Sequence, residues 1–114
     1  MPAYESEEFL TGPQPIPETE FVVFGTVYAY PEHADALEAV YAETTRNAQS
    51  EPGTIYYCLC RDNDDPNLFH FFERYAGREA FEKHNDQPVI DKLMEDKYIR
   101  GVKAKFMKAI EPAP

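Results

Sequence analysis

The apolar positions of this chain fall into blocks with two different periods. Between Glu20 and Tyr30 (EFVVFGTVYAY) nearly every residue is β-branched, aromatic or small, the composition of a strand. Both alternating faces of that segment are apolar: Val22, Phe24, Thr26 and Tyr28 on one, Phe21, Val23, Gly25 and Val27 on the other. A strand in a sheet with one wet face alternates polar and apolar residues. The pattern here predicts cover on both sides, by helices on one and by a second subunit on the other. From Pro31 the period changes to that of a helix. Leu37, Val40, Tyr41, Thr44 and Ala48 recur on one 3.6-residue face, while Asp35, Glu38, Glu43 and Arg46 lie mostly off it. Pro31 suits a first helical turn, and Pro52-Gly53 stops the helix and turns the chain.

Thr54–Arg61 and Leu68–Tyr75 read as two strands, joined by the turn-forming run Asp62-Asn63-Asp64-Asp65-Pro66-Asn67. Gly77 opens a second helix carrying Ala80, Phe81 and His84. It breaks near Pro88, and a further helical turn or two holds Val89, Ile90, Leu93 and Met94. Val102–Ile110 is the last strand, and its lysines mark a partly exposed or edge position. The order β-α-β-β-α-β predicts an α+β, ferredoxin-like domain over residues 21–111, a four-stranded antiparallel sheet with helices on one face. Its bare face, with the doubly apolar first strand, predicts a homodimer through the sheet. Residues 1–20 hold Pro2, Pro13, Pro15 and Pro17 among acidic residues with no period, and read as an extended arm.

A length of 114 residues is that of one domain. Eight Phe and eight Tyr without a Trp exceed what a small core needs, which points to a ligand cavity or an aromatic subunit interface. The net charge of −10 excludes non-specific binding to nucleic acid and to anionic lipid. No run approaches the roughly 18 apolar residues of a membrane span, and no signal-peptide pattern stands at the N-terminus. The expectation is a soluble cytoplasmic protein. Cys58 and Cys60 share a face of the second strand and are expected to be two reduced core thiols, a lone C-x-C being a weak metal signal. His33, His70 and His84 are too dispersed for a zinc site.

His84 stands out because it sits one turn after Phe81 on the apolar side of its helix, and imidazole titrates near neutrality. Glu73 shares a strand face with Phe69, Phe71 and Tyr75, where a carboxylate must be paired or have a raised pKa. His70 lies on the opposite face, toward a subunit interface, and His33 is expected in solvent. Tyr56 and Tyr57 point to opposite faces, and one of them can donate to a substrate oxygen. Asn47, near the end of the first helix, reaches a pocket rim. There is no Gly-rich phosphate loop, no G-x-S-x-G elbow and no basic-aromatic patch.

The succession Glu51-Pro52-Gly53-Thr54-Ile55-x-Tyr57, Arg61-Asp62 with Asp65-Pro66, Phe71-x-Glu73-x-Tyr75 and Arg78-Glu79-Ala80-Phe81-x-x-His84 resembles the antibiotic biosynthesis monooxygenase domain over residues 21–110. The resemblance implies a dimeric α/β barrel whose pocket lies between sheet and helices. It implies oxygenation of a small aromatic, quinol or anthrone-type substrate by O₂ without metal or flavin. His84 would be the base or oxyanion partner, Glu73 its tuner, and Tyr57, Tyr75, Phe81 and Asn47 would line the cavity. Other branches of the family imply alternatives: an isomerase-like or non-catalytic small-molecule binder, or a haem-binding member. Characterised oxygenases and haem degraders of the family lean on a tryptophan and an asparagine. This chain has no Trp, and only His84 carries over cleanly from the haem-degrading pattern.

Overall fold

The computed structural model of the protein describes residues 15–114. Of the extended arm expected over residues 1–20, the first fourteen therefore lie outside the described residues. Strand β1 (Phe21–Ala29) is followed by a single 3₁₀ turn (Pro31–His33) and helix α1 (Ala34–Ala48). Then come β2 (Thr54–Arg61), β3 (Leu68–Tyr75), α2 (Arg78–Asn85), α3 (Pro88–Glu95) and β4 (Ile99–Met107). The strands form one antiparallel sheet in the order β2-β3-β1-β4. This is the ferredoxin-like α+β arrangement that the order of blocks predicts.

The first strand sits in the middle of the sheet for a physical reason. Phe21, Val23, Val27 and Ala29 are buried on its helix side, at 4% exposure or less. Across the strands, Tyr75 pairs in register with Phe21, and Phe69 with Val27. Together with Leu37 of α1 and Leu93 of α3 they make one core. Phe81 of α2 and Phe106 of β4 close it with edge-to-face contacts on Phe21, at ring-centroid distances of 5.6 and 5.3 Å. Each of the two most buried rings, Tyr75 and Phe21, is below 2% exposed. The centre of the helix–sheet space is therefore filled, and the cavities of this fold lie at its rim.

The opposite sheet face carries Val22, Phe24, Thr26 and Tyr28, all half-buried, and Phe72, half-exposed and stacked on Phe24 at 5.5 Å. His70 lies on this face, its Nδ1 3.0 Å from Thr26 Oγ1 and its Nε2 2.8 Å from Asp62 Oδ1. Asp62 also accepts the backbone N–H groups of Asp64 and Asp65, at 2.9 Å each, which fixes the hairpin loop. These three bonds, the histidine first, hold its carboxyl below the usual range.

Four expectations need correction. Cys58 and Cys60 are not core thiols: their strand face is the one away from the helices, and Cys60 is exposed. Pro31 opens a 3₁₀ turn, with the α-helix beginning only at Ala34. The last strand begins three residues earlier than the hydrophobic pattern suggests, because Lys97 adopts φ +57° and turns the chain directly into Ile99. His33 does not simply project into solvent, since its ring stacks on Tyr98 at 4.9 Å. Elsewhere Arg61 ties the β2 end to α1 through Asp35 at 2.9 Å and Glu38 at 3.1 Å. Arg78 donates to the Ile16 carbonyl at 2.7 Å and pairs with Glu18, fastening residues 16–18 to the start of α2. No helix among the described residues is long and apolar enough to cross a membrane.

Candidate functional site

The turn Glu51-Pro52-Gly53-Thr54 joins α1 to β2 and lies against α2. The approach is close: a Cβ built on Gly53 would fall 2.4 Å from the Cβ of Ala80, so only glycine fits this wall. The turn delivers Glu51 to His84, one helical turn beyond Ala80. Nδ1 of His84 lies 2.7 Å from Glu51 Oε1, and the imidazole is 3% exposed.

The surrounding hydrogen bonds settle the tautomer. Gln87 Nε2 lies near three polar atoms, at 2.6 Å from the His84 carbonyl oxygen, 3.1 Å from Glu51 Oε2 and 3.3 Å from His84 Nδ1. Its two N–H groups go to the two nearer ones, while its oxygen accepts Asn47 Nδ2 at 3.1 Å, which fixes the amide orientation. Nδ1 is then free to donate to the Glu51 carboxylate, which also accepts Thr54 Oγ1 at 2.7 Å. That leaves Nε2 as the basic nitrogen. Nε2 has no hydrogen-bond partner among the described residues, and no buried side-chain nitrogen or oxygen among them lacks one. A pocket of about 190 Å³ has His84, Glu51, Thr54, Ala80 and Lys83 among its walls.

Behind the imidazole lies a phenol and carboxyl cluster. The Tyr57 and Tyr75 rings pack on His84 at centroid distances of 4.8 and 5.5 Å. Tyr57 shares a hydrogen bond of 2.8 Å with Thr44 Oγ1, on a fully buried side chain of α1, and Tyr75 donates to Glu73. Burial pushes the Glu73 carboxyl up to about 7, and the charge of Glu51 adds to the shift while the Tyr75 hydroxyl opposes it. Burial, followed by the Glu73 charge, raises Tyr41, Tyr57 and Tyr75 well above the ordinary phenol range. At neutral pH the three phenols are donors, and Glu73 is the group among them that changes charge.

Of the residues singled out in the sequence, His84, Tyr57, Tyr75 and Glu73 are thus brought together, and Asn47 joins them through Gln87. Tyr57 also lines a neighbouring groove of about 380 Å³ that shares Thr54 with the His84 pocket. Phe81 turns the other way, onto Phe21, Tyr75 and Phe106, and belongs to the core. Gln87 and Thr44 carry no signal as site residues in the sequence, and Glu51, although it opens the family motif, is not singled out there as one. Glu51 precedes a Pro-Gly stop, where the turn alone accounts for it. A larger cavity of about 420 Å³ lies at the α1–β2 edge, with Tyr41, Leu59, Phe69 and Arg61 among its walls. Among the described residues, no three or more His, Cys, Asp and Glu side chains are grouped so as to hold a metal ion.

Comparison with known proteins agrees with the fold. An uncharacterized protein of Synechocystis sp. is 30% identical over 74 residues, which are 65% of this chain and 50% of the relative. The chain thus spans about half the length of the curated relative it matches. A crystal structure from Pseudomonas aeruginosa superposes with a TM-score of 0.71 at 24% identity, covering 82% of this chain and 97% of that one. A crystal structure described as antibiotic biosynthesis monooxygenase gives a TM-score of 0.69 at 24% identity, covering 80% and 99%. These likenesses establish the fold. The family model for antibiotic biosynthesis monooxygenase matches residues 20–96, which include every strand and helix but β4, and the chain belongs to that family.

Proposed function

We propose that this protein is a cofactor-independent monooxygenase that uses O₂ to oxygenate a small, electron-rich quinol. The observation that carries the reading is the His84–Glu51 pair at the wall of a pocket, with Nδ1 held by the carboxylate and Nε2 without a hydrogen-bond partner among the described residues. A cavity of about 150 Å³ accepts benzene, whereas drug-sized ligands occupy about 300 Å³ or more. The pocket of about 190 Å³ therefore suits a monocyclic quinol better than a three-ring anthrone.

The chemistry needs one proton acceptor and no outside reductant. Nε2 of His84 takes a phenolic proton, and Glu51 stabilises the imidazolium. The quinolate passes one electron to O₂, and the semiquinone and superoxide combine into a carbon-bound hydroperoxide. His84 returns its proton to the peroxide. Nε2 then takes the ring proton from the same carbon as the O–O bond breaks and passes it to the departing hydroxide, which releases water and leaves a hydroxyquinone. Quinol plus O₂ gives hydroxyquinone plus H₂O, so the substrate supplies both electrons. Glu73, behind the imidazole, tunes the site through its charge.

The reading includes a homodimer joined through the sheet face opposite the helices. It is supported by the half-buried row Val22, Phe24, Thr26 and Tyr28 and by the exposed Phe72 stacked against it. The packed interior favours one rival, a non-catalytic binder of the same small molecules. Oxygen uptake with monocyclic quinols separates the two. The oxygenase consumes O₂ above the buffer rate, and His84→Gln abolishes the excess. A binder is stabilised by the same compounds against heat with no oxygen consumed, and that result would overturn the proposal.

A further inference from the structure

Ala80, Lys83 and His84 stand at i, i+3 and i+4 on α2 and so share one helical face, the one that meets the Glu51–Thr54 turn. All three are walls of the pocket of about 190 Å³. Lys83 is exposed, and its ammonium makes no hydrogen bond or ion pair among the described residues. We propose that Lys83 makes this pocket a site for phenols bound as their anions, its ammonium donating a hydrogen bond to the phenolate oxygen. The role rests on the oxygenase reading for the reaction that follows, but not for the binding.

The charges around the pocket carry the assignment. A phenol that gives its proton to His84 Nε2 leaves an anion beside Glu51, in a chain of net charge −10. Such an anion forms readily only with a cation close by. The carboxylate is already engaged, since Glu51 accepts from His84, Thr54 and Gln87 at 2.7, 2.7 and 3.1 Å. A second groove, of about 330 Å³, shares Pro52, Gly53, Ala80 and Lys83 with the first and adds Glu18 and Glu79 to the walls. Glu18 is held by Arg78, and Glu79, one turn before Lys83, forms no ion pair with it.

Lys83 is therefore a positive charge without a partner among the described residues, set by the helix beside the base. The two neighbours divide the work: His84 takes the proton, and Lys83 faces the charge left behind. A lysine suits this place because its long apolar stem lets an exposed residue lay its ammonium at a pocket wall.

The probe is 4-nitrophenol, a single-ring phenol whose anion absorbs visible light. Bound to the parent chain, it should titrate about one pH unit lower than when bound to Lys83→Met. Lys83→Arg, which keeps the charge, should restore most of that difference. Lys92→Met removes a charge from α3, where Lys92 pairs with Asp96 at 3.0 Å, and should leave the titration as in the parent. Equal titration in the parent and Lys83→Met, or no binding of the probe to the parent, overturns the proposal. A lowered titration in the parent with no quinol-dependent oxygen uptake would remove the oxygenase and leave the phenolate site standing.

Discussion

His84 Nδ1 stands 2.7 Å from Glu51 Oε1, although 33 residues separate the two in the chain. The carboxylate does more than neutralise a buried ring. By accepting the Nδ1–H hydrogen bond it fixes which nitrogen carries the lone pair, and Nε2 can act as a base only in that tautomer.

Glu51→Gln tests this directly. The amide can donate to Nδ1, which turns the imidazole into its other tautomer and places the proton on Nε2. Quinol-dependent oxygen uptake should fall about a hundredfold or more. The thermal midpoint should change little, because the turn keeps its shape. Activity within about twofold of the parent would show that the tautomer is immaterial.

Glu73 makes stability depend on pH. Its folded-state pKa of about 7 is above the unfolded carboxyl value, so the native state binds the extra proton. The contribution is fully present below the unfolded pKa and is lost as pH rises through about 7. The native state is then weakened by up to about 3 kcal/mol, the equivalent of that shift. Chain stability in urea should fall between about pH 4.5 and pH 7 relative to Glu73→Gln, which has no proton to lose. Parallel pH curves for the two proteins would contradict the assignment.

The fold was legible because its signals are local. The double apolar face of Phe21–Ala29 marks the central strand, and the spacing of Leu37, Thr44 and Ala48 marks the buried face of α1. Alternation places Cys58 and Cys60 on one side of β2 but does not say which side the helices cover, so it cannot tell a core thiol from an exposed one. Ile99-Arg100-Gly101 hid the start of β4, because an arginine and a glycine dilute a strand pattern. The Glu51–His84–Gln87 network was illegible for another reason. It depends on a turn and a helix meeting at Gly53 and Ala80, and no periodicity encodes that approach.

Phe72 tests the proposed pairing of chains. It is 50% exposed and stacks on Phe24, so a charge there costs the single chain little and a sheet-to-sheet contact much. The parent chain should sediment as a dimer at micromolar concentration, and Phe72→Asp as a monomer with an unchanged far-ultraviolet spectrum. A monomeric parent would remove the sheet-face dimer from the proposal and leave the His84–Glu51 chemistry standing.

Gly53→Ala tests whether the wall of the His84 pocket is set by packing. The new methyl would fall 2.4 Å from the Cβ of Ala80, so the turn and α2 must part. Overpacking of this kind costs roughly 1–3 kcal/mol. The separation also draws Glu51 away from an imidazole it now holds at hydrogen-bond distance. Stability and oxygen uptake should therefore fall together. Ala80→Gly removes the obstructing methyl from the other side, so the double variant should regain most of the lost activity, although a helical glycine itself costs about 1 kcal/mol. Recovery of activity without full recovery of stability is the signature of a contact that positions Glu51. If the second substitution restores neither, the close approach of Gly53 to Ala80 does not govern the site.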